Sequence, residues 1–521
     1  MLALSLCPFT VRFAHATTYD SDGSPSDVQA KANLCSEGDT VTIPAGTFHW
    51  TTGAVLNVPA NVTLSGAGTS ATGGGDQSVI IDDYASNAVL ISITVASSGV
   101  FRMTGLTVQG GLGVLKDNGV TSLTGPGQVR LDHIHINTQS YHTLIPVHAL
   151  MIGRGITGVL DHSLVDLYST SAIYPVNGVD SQGNSDWASA TGFGSSNAFF
   201  IEDNIITGTA ATHDTRIVDA YTGGHYVIRF NTVIASCLGE DHATGHSGDD
   251  RGCRSHELYG NLCTQGVSQT VPNFDLVDIG GGAALIWGNS AVEIFKNVIH
   301  FNVTRKNNDT YNQLATPTGW GYAGTEFNGT GSNWDGGTVL GTDTTKGYPC
   351  LDQPGRGQGD LLTGSFPSKV NSTTGTIHWP NQALEPIYIW ANNASVAPGW
   401  GTSGLIADNS GGRLTANTDY YLQVSGIQTS PTSPFDGTSG TGWGTLANRP
   451  ATCTPGVGYF ATDQGSWNTS TSNPYGVQQN GASGVLYKCT APNTWTLYYT
   501  PYTYPHPLQG PIPPEHLHIL P

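Results

Sequence analysis

The stretch YVIRFNTVIASCLGEDHATGHSGDDRGCRSHELYGNLCT (226–264) carries one short pattern twice, as YVIRFNTVI at 226–234 and HELYGNLCT at 256–264, with a polar loop between the copies. In each copy apolar residues alternate with polar ones on both sides of an Asn. That period of two reads as strand, bend and strand. Upstream the pattern recurs in FFIEDNIIT (199–207), GVLDHSLV (158–165), VRLDHIHI (129–136) and FRMTGLTV (101–108), and downstream in VEIFKNVIH (292–300). Aligned on Gly105, His133, His162, Asn204, Asn231, Asn261 and Asn297, successive copies lie 28, 29, 42, 27, 30 and 36 residues apart. A step near 28 residues is too short for a strand with a crossover helix. It suits one coil of a solenoid whose inward side chains are buried on the neighbouring coils, with the longer steps marking inserted loops. An Asn inside such a bend can bond the backbone and the next Asn in the stack, so Asn204, Asn231, Asn261 and Asn297 are expected to form a structural ladder.

Composition agrees with an all-β chain. Gly reaches 68 of 521 residues, charged residues only 11%, and Trp, Tyr and Phe number 11, 21 and 15. Disorder needs the opposite balance of charge and aromatics. A formal net charge of −19 argues against nucleic acid or an anionic membrane surface as partner. No membrane insertion is expected, because no apolar run approaches the ~18 residues of a span. Residues 1–16, MLALSLCPFTVRFAHA, read as a signal peptide ending at Ala14-His15-Ala16, which implies a secreted, extracellular or cell-surface protein. Seven cysteines follow Cys7. Their spacing matches no zinc pattern, so disulfides are expected, with Cys453 and Cys489 the preferred pair because both lie in one C-terminal stretch. The oligomeric state is left open.

The segment DGSPSDVQAKANLCSEGDTVTIPAGTFHW (22–50), followed by NVTLSGAG (61–68), resembles the opening of bacterial pectate-lyase-like proteins. The resemblance implies a right-handed parallel β-helix with an N-terminal capping helix, for which Ser26 or Asp27 offers the cap. Residues 17–447 would form the solenoid, with EPIYIWANN (385–393) in a late coil, and residues 448–521 a small C-terminal β module. The module's Phe460, Trp467, Tyr487, Trp495 and Tyr498 suit a small core or a sugar-stacking face. The tail TPYTYPHPLQGPIPP (500–514) should run extended along the body.

Charge is scarce, and it clusters. Residues 213–257 hold eleven charged side chains, where an 11% share would place about five, and five of the 17 histidines. Arg251, Gly252, Arg254, Glu257, Tyr259 and Asn261 form an RGxRxxExYxN pattern that resembles one in bacterial pectin-lyase-like proteins. The resemblance implies a polysaccharide, acidic in the first reading, held in a lateral groove. A lyase performing β-elimination needs a base at C5 of a uronate and positive charge beside its carboxylate. Arg251 and Arg254 could supply both, with His242 or His246 as the alternative base. Asp241, Asp249 and Asp250 could hold Ca2+. An inverting glycoside hydrolase would instead use paired carboxylates from Asp219, Asp241, Asp249 and Asp250. The Gly245-His246 and Asp249-Asp250 pieces resemble polygalacturonase motifs, although Ser247 stands where that family has Gly. Arg216, Asp219, Glu257, Tyr259 and Arg356 are the candidate substrate-binding residues, Arg356 within DQPGRG (352–357). Arg251, Arg254 and Glu257 could equally form an ion-pair network. Leu131-Asp132-His133 and Leu160-Asp161-His162 resemble the Asp-His motif near the pectate-lyase calcium site, yet both sit on the repeat position, which favours a ladder role. A non-catalytic surface or matrix protein is the third reading.

Overall fold

The computed structural model describes residues 16–110, 120–138, 148–153, 155–167, 172–175, 186–187, 189–208, 216–220, 222–241, 252–264, 275–295, 299–302, 354–360, 381–396, 406–408, 414–423, 435–470 and 483–510. Within them the chain winds as a parallel β-helix, each full coil giving one strand to each of three sheets. Sheet A stacks twelve strands from Thr18–Asp20 to Tyr420–Tyr421, sheet B ten from Gly46–Trp50 to Asn393–Val396, and sheet C ten from Ala54–Val58 to Ile406–Asp408. Parallel register brings equivalent positions of the repeat into rows. Ile201, Ile228, Leu258, Ile286 and Ile389 pair in turn along sheet A and point into the core, each fully buried. Each such burial stabilises the fold by about 1.5–3 kcal/mol.

The bend from sheet A to sheet B explains the Asn repeat. His133, His162, Asp203, Phe230 and Ala391 all take a left-handed backbone at this bend, with φ between +49° and +59°, and Gly260 and Gly288 do the same. Gly is required at 260, because a Cβ there would meet the Phe230 ring at 2.5 Å. The next residue carries the ladder. The backbone N–H of Ser163, Asn204, Asn231, Asn261 and Asn289 each donates to the side-chain carbonyl of the next rung, at 2.9–3.1 Å, as far as Asn392. Each Asn amide also reaches a sheet A carbonyl of the preceding coil, as Asn231 Nδ2 does to Ile201 O at 2.8 Å.

Two expectations are thereby corrected. The rung expected at Asn297, which lies outside the described residues, is Asn289: the sheet A strand of that coil is Ala283–Trp287, and Ser290–Phe295 and Ile299–Phe301 belong to sheets B and C. Gly288-Asn289 repeats Gly260-Asn261, and that dipeptide was the better anchor. His133 and His162 occupy the left-handed position one residue before the rungs. Their imidazoles bond Asp132 and Asp161 at 2.8 Å and stack on each other 5.5 Å apart. The same carboxylates bind Arg102 and Arg130 through paired hydrogen bonds.

The capping helix spans Pro25–Ala32. Its cap is Ser24, whose hydroxyl accepts from Asp27 N, with Pro25 in the first turn. The cap thus lies two residues before Ser26, because proline at the start of a helix lacks only an N–H that would be unpaired anyway. No described helix is long and apolar enough to cross a membrane.

Outside sheet B, His135 bridges Asp76 at 2.8 Å and Asp166 at 3.0 Å. Burial disfavours the charged imidazole, but the hydrogen bonds and charges of the two carboxylates outweigh it and raise its pKa. A raised folded-state value gives stability that is present below the usual 6.5 and lost as pH rises through the folded pKa. Substituting His135→Gln is therefore expected to cost about 1 kcal/mol near pH 6 and less near pH 9. Denaturant midpoints at the two pH values check this; an equal loss at both would remove the titration from the explanation.

Candidate functional site

The three outer faces of the solenoid differ in what they leave open. On sheet A the outer row Asp132, Asp161, Glu202, Arg229, Tyr259, Trp287 and Trp390 runs in register. It passes from ionic to aromatic, and the C-terminal segment lies across its later part. The strands Thr441–Gly444, Gly458–Ala461, Val485–Ala491 and Thr494–Tyr499 form a sheet, stapled by the Cys453–Cys489 disulfide. Phe460 packs 4.9 Å from Trp287 and 5.2 Å from Trp390, and Trp467 is 5.9 Å from Tyr259. Phe460 and Trp467 are accordingly core, whereas Tyr487, Trp495 and Tyr498 stay partly exposed.

Beyond that sheet, residues 502–509 strap the solenoid. Arg229 pairs with Glu202, donates to Tyr259 Oη at 2.8 Å, and bonds the carbonyls of Tyr502 and Thr503 at 2.7 and 2.9 Å. Glu202 accepts in turn from His506 N and Gln509 Nε2, both at 2.6 Å. Tyr504 Oη donates to Asp203 at 2.6 Å, and Arg130 Nη1 to Gln509 O at 2.8 Å.

This packing decides where several sequence-predicted residues stand. Glu257 is buried; it accepts from the Tyr499 hydroxyl and from Gly194 N at 2.8 Å, and burial raises its pKa. Tyr259 is buried and stacked on Trp287 at 4.5 Å. Arg254 is buried, ion-paired to Glu385 at 2.6 Å, bonded to Ser189 O and lying 5.5 Å from the Trp187 ring. Its ionic partner is thus Glu385, 131 residues on, where local sequence offered Glu257. Arg356 pairs with Asp419 at 2.9 Å. These four are engaged within the protein and do not converge on a groove. His242, His246, Asp249, Asp250 and Arg251 lie outside the described residues; of Asp241 only the backbone is described, ending a sheet C strand. Among the described residues no three carboxylate, histidine or cysteine groups converge on a metal position.

Sheet C brings a different set together. In Val277–Ile279 and Ile299–Phe301 the flanking residues are buried and the central ones, Asp278 and His300, face out. Asp219, half-buried on Arg216–Ala220, stands in register with Glu240, Glu240 with Asp278, and Asp278 with His300. Four consecutive coils thus place Asp, Glu, Asp and His at one position of the repeat. His300 Nδ1 lies 3.4 Å from Asp275 Oδ2 and 3.5 Å from Asp278 Oδ1. Asn302 Nδ2 donates to the other Asp278 oxygen at 3.4 Å. The three titratable side chains are 17–22% exposed, sheltered yet reachable. Two oxygens so close to one nitrogen are at most about 7 Å apart, which includes the 5–5.5 Å of retaining carboxylate pairs and touches the range of inverting ones.

Of the sequence candidates, Asp219 belongs to this row, while Arg216 begins the same strand and pairs in register with Cys237. Asp275, Asp278, His300 and Glu240 were missed as site residues. For Asp278 and His300 the signal was positional: Val-Asp-Ile and Ile-His-Phe each place one polar residue between two apolar ones on a sheet C strand.

No protein-family model and no curated protein sequence matches the chain. Several solved structures resemble it in part. Three of them are the catalytic unit of a thermostable GH87 α-1,3-glucanase from Streptomyces thermodiastaticus (14% identity over 56% of this chain and 61% of that one, TM-score 0.32), an alginate lyase from Paenibacillus sp. (16%, 52% and 94%, 0.26) and a PL6-family alginate lyase (12%, 81% and 60%, 0.30). The similarity thus spans less than two thirds of the glucanase.

Proposed function

We propose that the chain is an exported, carbohydrate-active enzyme that hydrolyses glycosidic bonds of a polysaccharide laid along the outer face of sheet C. The observation that carries this is the in-register row Asp219, Glu240, Asp278 and His300, with Asp275 beside it. Parallel strands repeat every ~4.8 Å, close to the length of one pyranose unit, so a chain lying along the solenoid axis passes one position of this row at about each sugar. Hydrolysis needs one carboxyl group to protonate the leaving oxygen and a second to activate water. The group around His300 places two carboxylates 3.4 and 3.5 Å from one imidazole nitrogen, close enough for a substrate oxygen or one water to link them. Sheet A is the less suitable face on the middle coils, because the C-terminal segment covers it.

A lyase would need cationic groups beside a uronate carboxylate. Arg254 is engaged in its buried ion pair, and the outer row of sheet C is acidic, which turns the preference toward hydrolysis. The test is incubation of the full chain with neutral and acidic polysaccharides, with Ca2+ and with EDTA. Both new reducing ends and the ultraviolet absorbance of an unsaturated uronate are followed. Reducing ends without that absorbance are expected. An absorbance rise lost in EDTA would establish a calcium-dependent lyase, and silence in both assays a binding or structural role.

A further inference from the structure

We propose a second carbohydrate site, for a neutral sugar unit, where the C-terminal sheet meets the 500–503 segment. A cavity of about 510 Å³ opens there, within the ~300–1,000 Å³ of small-ligand pockets. Its lining includes Tyr487, Leu497, Tyr502, Gln464, Ser466 and Thr500, and no lining residue is charged, in a chain of net charge −19.

A pyranose presents C–H groups on its ring faces and hydroxyls around its rim. It therefore needs an apolar wall, best an aromatic one, beside a few polar groups that fix its orientation. The two tyrosine rings and Leu497, 54% exposed, provide the wall. Among the described residues, the side-chain amide of Gln464 and the Ser466 and Thr500 hydroxyls have no internal hydrogen-bond partner, so they are available to a ligand. The frame is fixed before any ligand arrives. Trp467 is buried, with its indole N–H bonded to Gly484 O at 2.9 Å. Arg449 lies 4.3 Å over one face of the Tyr487 ring, and the Cys453–Cys489 disulfide ties down the strand carrying Tyr487. A uronate would bring a carboxylate into a lining with no cation to meet it, at a desolvation cost a neutral sugar avoids.

This site is separate from the sheet C row, so its test needs no turnover. The full chain is titrated calorimetrically with hexamers of glucose, galactose and mannose, and with hexamers of galacturonate. Ser466→Trp fills the cavity from an exposed position, Tyr487→Ala removes a wall, and Leu34→Ala alters an exposed residue beside the capping helix, outside both sites. Expected is millimolar binding of at least one neutral hexamer, weakened about tenfold (about 1.4 kcal/mol) by Ser466→Trp and Tyr487→Ala and unchanged by Leu34→Ala. Absence of neutral binding in the wild type overturns the proposal. So does binding unaffected by Ser466→Trp, or a preference for the uronate. A protein inactive toward every polysaccharide but showing this pattern would refute the hydrolase and leave the second site standing.

Discussion

Replacing Arg229 with Met is expected to destabilise the protein by about 3–5 kcal/mol, the usual consequence of removing one member of a buried ion pair. Arg229 and Glu202 are both fully buried, and Arg229 is the donor to the Tyr502 and Thr503 carbonyls that hold the strap. Its loss strands those carbonyls and leaves the Glu202 carboxylate without a counter-charge. Burial already pushes Glu202 up to about 7, against the pull of Arg229. A carboxyl whose folded pKa lies above its unfolded value near 4.3 binds its proton better when folded, so stability falls as pH rises between the two values. In the wild type that fall ends near pH 7. In the Arg229→Met variant the folded value climbs further, so the penalty should keep growing above pH 7. The double variant Glu202→Gln/Arg229→Met should recover much of the loss, because removing both charges leaves no uncompensated one. Denaturant midpoints at about pH 6 and pH 8.5, with limited proteolysis of the C-terminal segment, check this. A loss below about 1 kcal/mol in the single variant would mean that aromatic packing alone holds the segment.

Why Arg229 is critical could not be read locally. Between Phe199 and Thr264 the alternation announced the strands, and the Asn at 204, 231 and 261 announced the bend, because both are short-range requirements met by adjacent residues. The partners of the polar residues within those strands come from elsewhere. Arg229 answers Glu202 one coil back and the carbonyls of Tyr502 and Thr503 some 270 residues on. Arg254 answers Glu385, and Glu257 answers Tyr499. A cluster of charge in sequence therefore looked like a groove, while in space part of it anchors a second layer onto sheet A. The acidic row on sheet C had the reverse problem: Asp219, Glu240, Asp278 and His300 are spread over 82 positions and become one feature only when the coil register is known. Asn289 was legible in principle, since Gly-Asn recurs; the apolar run after it drew the alignment eight residues late.

Substituting Asp278→Asn is expected to lower turnover of whichever polysaccharide is cleaved by about 10²–10⁴-fold, the typical contribution of a positioned acid or base. Stability should change little, because the side chain faces out between Val277 and Ile279 and, among the described residues, its one hydrogen-bond donor is Asn302 at 3.4 Å. Asn keeps the shape and removes the ability to take or give a proton, so KM should move far less than kcat if Asp278 acts in the chemical step. His300→Gln tests the coupling: with the imidazole gone, any limb of the pH–rate profile that depends on it should disappear, while a residue that only positions Asp278 would shift the rate and leave the profile's shape. Asp219→Asn, two coils away and about 9.5 Å along the sheet, should act on a neighbouring sugar and raise KM more than it lowers kcat. If Asp278→Asn and His300→Gln each leave turnover within about twofold of the wild type, the chemistry belongs to residues other than this row, and the acidic ladder of sheet C is only a surface along which the polysaccharide lies.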